Sequence, residues 1–537
     1  MRSTWLIGSL VALVTAAAAP ASDGSAQDWP SYNRTLSSVR FVPHRQLTRT
    51  NVKNLQTICT YDTGLVTSFQ TGPIVVDGVL YGTTEADTFA IDAGSCKEHW
   101  RVHEDLTPTF LQVNRGAAYL DGRLFRGLNS GLVIAYDART GKRLWEQRIA
   151  DPAKGESVPA APIAWSGLVF IGNAGGDSYG VKGRMYALDA ATGKIAWEFY
   201  LVPREHPAQQ SKGAGASPVE AERSASWGNA ADVPIAGGAT WTSYTLDPRS
   251  GLLYVPGGNP APDFVADLRP GKNLYSNSVV VLDARTGAYR AHYSLVPEDF
   301  HDWDVSAAPV VTKTRSGRLR MLAAPKDGNL YGYDLASGRR LYRTAVTTIE
   351  NATAPLTPEG TRFCPGTQGG SEWNGPAYNP GNNLVYTGTV DWCATVRTGP
   401  AAKVKNAAVG QPWSGAGDEN TFGKMDPQER WRGWLTATDA DTGRVRWKFQ
   451  TPAPILSAVT PTAGGLVLFG DLATNLYALD ADSGKRLWST KLDGAVGGGI
   501  VSYLVGGKQR IAAVTGTYSP IWPVPKNTSK IVVFGLD

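Results

Sequence analysis

The chain repeats one short pattern: a small residue, any residue, Asp, two more positions, Thr or Ser followed by Gly, three more positions, then Trp. It stands as "AYDARTGKRLW" at 135–145, "ALDAATGKIAW" at 187–197, "ATDADTGRVRW" at 437–447 and "ALDADSGKRLW" at 478–488. Weaker copies are "AIDAGSCKEHW" at 90–100, "VLDARTGAYRA" at 281–291 and "GYDLASGRRLY" at 332–342, seven in all. Such self-similarity constrains the fold more than any single residue does, because each copy must be one supersecondary unit whose faces its neighbours cover.

Each copy reads as a hairpin. Alternating apolar residues approach an Asp-x-x-Thr-Gly turn, in which Asp caps backbone amides and Gly accepts positive φ. Another strand pair lies upstream, as in "GPIVVDGVLYGTT" (72–84), "APIAWSGLVFIGN" (161–173) and "TAGGLVLFGD" (462–471), so a unit holds four short strands. Four-stranded units with a recurrent Trp predict a radial β-propeller. The C-terminal strands "GIVSYLV", "RIAAVTG" and "KIVVFGLD" lack a fourth member, and "NLQTICTYDTG" near the start lacks partners. Pairing them closes a ring of eight blades with no exposed edge.

Composition agrees: 60 Gly and 34 Pro in 537 residues is too rich in turn formers for a helical protein. The opening "MRSTWLIGSLVALVTAAAAPASDGSAQ" predicts a cleaved secretory signal over 1–26, with one propeller domain over 27–537. No Cys follows its apolar stretch, which argues against a lipoprotein, and no second apolar run reaches the roughly 18 residues that span a bilayer. The expectation is a periplasmic chain with no membrane span. Its net charge of +5 is not gathered into a basic stripe, which excludes a nucleic-acid partner.

The repeat resembles the tryptophan-docking propeller of quinoprotein alcohol dehydrogenases, enzymes that use pyrroloquinoline quinone (PQQ), and the resemblance extends over essentially the whole mature chain. In that family the Trp closing one motif packs on the Thr-Gly turn of the next blade. Cys59 falls where the closing blade would place its Trp, and Cys96 replaces the Gly of the first blade, so the resemblance implies a disulfide at ring closure. Cys364 and Cys393 bracket a segment the family also closes with a disulfide. No Cys-x-x-Cys-His occurs, which predicts that electrons leave to an external cytochrome c or another separate acceptor.

A site for PQQ needs flat apolar walls, cations for its carboxylates, an electrophile at its reactive carbonyl, and a base for the substrate hydroxyl. "FHDWDVSAA" (300–308) resembles the stretch carrying the family's catalytic aspartate, which directly follows the Trp and is Asp304 here. Asp302 and Asp299 are then expected to be loop carboxylates, with His301 orienting the loop. "GGNPAP" (257–262) implies Asn259 as a metal ligand. "GNAGGDSYGVKG" (172–183) resembles the segment that gives the family a glutamate ligand. Counted from the left that position is Asp177, and from the right Ser178; Asp177 is chosen because a hard cation wants a carboxylate, although Asp is one methylene shorter. Asp177, Asn259 and Asp304 offer oxygen ligands that suit Ca2+. Relatives that use a lanthanide carry another Asp two positions after the catalytic one, where this chain has Ser306.

"GGATWTSYTLDP" (237–248) implies Trp241 as the floor under the quinone. "VNRGAAY" (113–119) implies Arg115 at the quinone oxygens, and "PKDGNLYGYD" (325–334) implies Lys326 at the reactive carbonyl. Many members place a vicinal Cys pair over the quinone where this chain has Thr109-Phe110, leaving Phe110 as an apolar ceiling. "GGSEWNGPAY" (369–378) roughly matches the family's quinone-contacting Asn beside Trp, giving Asn374. The polar stretch 394–430 is expected to cap the site and select the alcohol.

The implied function is oxidation of an alcohol, polyol, polymeric alcohol or aldehyde by hydride transfer to PQQ, with Ca2+ as Lewis acid and Asp304 as base. The alternative is a non-catalytic propeller of the cell envelope, which needs the docking repeat but not a convergent Asp, Asn, Trp and Arg.

Overall fold

The computed structural model describes residues 27–109, 111–206, 217–417 and 420–536. The expected signal segment 1–26 and Phe110 lie outside the described residues.

The chain folds as an all-β protein. Among the described residues are eight four-stranded antiparallel sheets. Seven are built from strands consecutive or nearly so in sequence, such as Ile74–Val76, Val79–Thr83, Asp87–Asp92 and Glu98–His103. The eighth joins Ile500–Val505, Lys508–Thr515 and Lys530–Gly535 to Gln56–Asp62, which pairs antiparallel with the last of them. Insertions form a two-stranded and a three-stranded sheet.

The period-two alternation of the strands sends successive side chains to opposite faces. Val75 and Leu80 pack with Val501, Tyr503 and Val533 of the eighth sheet, whereas Ile74, Val76 and Tyr81 pack with Leu124 and Ile134 of the second. The same sharing links the second, third and fourth sheets, then the fourth and fifth, fifth and sixth, sixth and seventh, and seventh and eighth. Adjacency thus runs through all eight sheets and returns to the first.

The repeat motif forms the links between neighbours. In the copy at 135–145, Asp137 Oδ1 accepts hydrogen bonds from the Thr140 amide and hydroxyl at 2.8 and 2.7 Å. Gly141 has φ +72°, and a Cβ there would lie 2.7 Å from the Trp100 ring, so only Gly lets the indole lie flat on this peptide. Trp100 Nε1 also donates to Ala138 O at 3.0 Å. Trp145 docks in the same way on Gly193 and Ala190, Trp197 on Gly287 and Ala284, and Trp447 on Gly484 and Ala481. Tyr342 substitutes for Trp on Gly443 and Ala440. The copy ending in Ala291 makes no dock, and the next turn glycine, Gly338, has nothing within 4 Å of a Cβ position.

At the join between first and eighth sheets the dock is covalent, as the resemblance implied. Cys59 takes the Trp position, Cys96 the Gly position, and they form a disulfide with Cα atoms 5.8 Å apart. Cys364 and Cys393 form the second disulfide.

Candidate active site

The first two strands of these sheets run antiparallel, so the start of the first lies toward the end of the second, as where Val310 pairs with Leu322. Residues just before a first strand and just after a second strand therefore lie at the same end of their sheet. Arg115, Trp241 and Asp304 precede first strands; Asp177, Asn259 and Lys326 follow second strands. These six come from four different sheets and line one cavity.

Asp304 is fixed from two sides. Its Oδ1 accepts the Asn259 backbone amide at 2.8 Å, an approach that Gly258 permits, since a Cβ there would lie 2.7 Å from that oxygen. Its Oδ2 lies 3.0 Å from Lys326 Nζ, which also reaches Asp302 Oδ2 at 3.2 Å. Burial alone would lower the pKa of the Lys326 ammonium, but Asp302 and Asp304 together raise it well above the ordinary value. The two carboxylates thus favour the charged form of Lys326.

Beside this pair stands an acidic group. The side chains of Asp177, Asp263 and Asp302 each offer an oxygen within 4.8 Å of the other two. Burial, reinforced by Asp304, pushes the Asp177 carboxyl up to about 6, while Lys326 and the Asn259 side chain pull it down. Burial likewise holds Asp263 and Asp302 well above the usual carboxylate range. Asn259 Nδ2 donates to Asp263 Oδ1 at 2.9 Å. These oxygens, with Asp304 and Asn259 nearby, form the hard donor set that a divalent cation such as Ca2+ takes.

Aromatic and cationic groups also line the cavity. The Arg115 guanidinium carbon lies 4.5 Å from the Trp241 ring centroid and 5.3 Å from that of Trp373, and Arg115 Nη1 donates to Trp241 O at 3.2 Å. Burial lowers the pKa of Arg115 to about 10, which leaves it charged at neutral pH. Arg115 Nε is buried without a partner. Flat indoles beside a buried cation with donor capacity to spare suit a planar polyanion such as PQQ.

Sequence reasoning missed several residues here. Asp302 lies in a loop, as expected, but takes a left-handed backbone, φ 63°, and its carboxylate reaches Lys326. Asp299 instead caps the turn, accepting the His301 and Trp303 amides at 3.1 and 3.0 Å, while His301 stacks on Trp303 at 4.0 Å. Asn374 is not among the residues lining the cavity. Its amide accepts from Tyr32 Oη and donates to Leu456 O, and Glu372 and Trp373 face the cavity instead. Burial lifts the Glu372 carboxyl to about 7, against the pull of Lys326. Nothing in the period-two pattern marks Asp263 or Glu372, since both lie in loops outside any strand repeat.

The stretch 394–430 has structure of its own, including the strand Ala394–Val396 and the helix Ala401–Lys405. Trp413 is buried, and its amide donates to Asp177 O at 2.5 Å. Pro412, Thr421 and Phe422 of this stretch line the cavity. Among the described residues no helix is long and apolar enough to cross a membrane.

The chain also resembles known proteins along most of its length. A family model described as "Glucose/ethanol/alcohol dehydrogenase, beta-propeller domain" matches residues 29–355, and one for the outer membrane protein assembly factor BamB matches residues 432–527. The quinohemoprotein alcohol dehydrogenase ADH IIB of Pseudomonas putida is 31% identical, over 99% of this chain and 81% of its own. The dehydrogenase subunit of a quinone alcohol dehydrogenase from Acetobacter aceti is 30% identical over 96% of this chain and 76% of its own. Among solved structures, the quinohemoprotein alcohol dehydrogenase ADHIIG of Pseudomonas putida HK5 superposes with a TM-score of 0.85 at 26% identity, covering 96% of this chain and 81% of that one. With the dehydrogenase model over more than half its length and these relatives along nearly all of it, the chain belongs to the PQQ-dependent alcohol dehydrogenase family.

Proposed function

We propose that this protein is a periplasmic PQQ-dependent dehydrogenase that oxidises an alcohol, a polyol, a polymeric alcohol or an aldehyde. Its eight sheets are the blades of one closed propeller, reached after export and removal of residues 1–26. The observation that carries the reading is the meeting of Arg115, Asp177, Trp241, Asn259, Asp304 and Lys326, drawn from four sheets, around one cavity.

When bound, PQQ supplies a two-electron acceptor and Ca2+ a Lewis acid at its reactive carbonyl. The chain's own residues do the rest. Trp241 and Trp373 provide flat walls, Arg115 neutralises quinone oxygens, and Lys326 offers a charged donor toward the carbonyl. Asp177 and Asn259, with Asp304, would hold the cation. Asp304 is fixed by the Asn259 amide and Lys326, so its carboxylate stands ready to accept the substrate's hydroxyl proton as the C–H bond breaks. An external cytochrome c or other acceptor would take up the electrons. The stretch 394–430 sets which alcohols enter, through Pro412, Thr421 and Phe422.

The match of residues 432–527 to an assembly-factor model keeps a second reading in view, a cofactor-free envelope scaffold. One assay separates the two. The mature protein, supplied with PQQ and CaCl2, is given a panel of alcohols and an artificial electron-accepting dye. Dye reduction that needs both PQQ and an alcohol is expected. A protein that reduces no dye with any alcohol of the panel favours the scaffold.

A further inference from the structure

We infer that Asp263 is an additional ligand of the cation site, so that its carboxylate joins that of Asp177 in holding the ion. This rests on the reading of the cavity as a cation site, but neither the repeat nor the motif resemblance points to Asp263.

Three observations carry it. First, an oxygen of Asp263 lies within 4.8 Å of oxygens from Asp177 and Asp302. Ligand oxygens sit about 2.3 to 2.6 Å from Ca2+, so two on opposite sides of one ion lie at most about 5 Å apart. The three carboxylates fit that span. Second, Asp263 is fully buried, and its Oδ2 has no hydrogen-bond partner, while its Oδ1 is engaged by Asn259 Nδ2 at 2.9 Å. That free oxygen is open to a further partner, and a cation within its reach would stabilise the buried carboxylate.

Third, the neighbouring cations are engaged elsewhere. Lys326 Nζ bonds Asp302 and Asp304. The buried guanidinium of Arg269 donates to the main-chain carbonyls of Pro262, Asp263 and Asp299 and to Asn273 Oδ1, not to the Asp263 carboxylate. A bound cation is the partner that Oδ2 lacks. Asp177 is also one methylene shorter than the glutamate expected at its position, and a second carboxylate, that of Asp263, makes up for the reach that this shortening removes.

The test is calcium binding by the full mature chain without PQQ, stripped of metal and titrated with CaCl2 in a calorimeter. Asp263→Asn keeps an oxygen to accept from Asn259 Nδ2 but removes the charge. Its Kd for Ca2+ should rise roughly tenfold or more. A Kd within about twofold of wild type would mean that Asp263 only positions Asn259, and the inference would fall while the site reading stood. Wild-type protein that binds no Ca2+ would overturn both. Should Asp263→Asn not fold, anomalous diffraction from Ca2+-loaded wild-type crystals decides: an ion about 2.3 to 2.6 Å from Asp263 Oδ2 supports the inference, and an ion out of its reach overturns it.

Discussion

Cutting the covalent link between the first and eighth sheets gives a prediction whose size follows from the structure. Cys59 and Cys96 are 37 positions apart. Closing a loop of that length in the unfolded chain removes entropy worth about 4 kcal/mol at 25 °C. Unfolding entropy of about 2.1 cal/mol/K per residue, over roughly 500 residues, comes to about 1 kcal/mol/K, so the loss should lower the thermal midpoint by about 4 °C. The perturbation is Cys59→Ser with Cys96→Ser, read by differential scanning calorimetry of the metal-free protein and compared with oxidised wild type. Neither cysteine lines the cavity, so Ca2+ affinity should not change. Cys59→Trp with Cys96→Gly should regain part of the loss by restoring the dock that Trp100 makes on Gly141. A Ser variant that melts within about 1 °C of wild type would refute the reasoning, because the ring would then be held at this join by packing alone.

Other outcomes follow from the cavity. Asp304→Asn should cut alcohol-dependent dye reduction by a factor of about 10^2 to 10^4, the usual worth of a general base, while PQQ affinity by equilibrium dialysis without added CaCl2 stays near wild type. Glu372, lifted to about 7 from an ordinary 4.5, is a group whose burial disfavours the ionised form. Stability is therefore fully present below pH 4.5 and lost as pH rises through 7. Glu372→Gln should raise the stability of metal-free protein at pH 8 by up to about 3 kcal/mol, with no gain near pH 4, measured by denaturant titration. Phe422→Ala should change the ratio of kcat/KM between a small and a bulky alcohol and leave the Kd for PQQ unaltered; an unchanged ratio would remove the cap from the account.

The architecture was legible in the sequence because a repeated turn leaves a repeated trace. Asp137, Thr140 and Gly141 announce the hairpin by residue type alone, and each Trp announces the neighbour it must meet. The loss of a dock after Ala291 and the replacement of one by Cys59 and Cys96 could be read in the same way. The cavity was legible only in part. Trp241, Asn259 and Asp304 stand in short motifs, whereas Asp263 and Glu372 sit in loops where no periodicity ties a side chain to a face. Asp302 turns inward through a left-handed backbone that its sequence context does not demand. Asn374 was expected at the cavity and Glu372 lies there, because a two-residue shift in a loop changes direction without disturbing any strand.

Fluorescence of the metal-free protein titrated with PQQ, with and without CaCl2, tests the central claim most directly, since Trp241 and Trp373 line the cavity. The account predicts saturable quenching at one PQQ per chain that tightens with Ca2+ and is weakened in Trp241→Ala. Quenching that never saturates, or that is indifferent to both Ca2+ and Trp241, would contradict it.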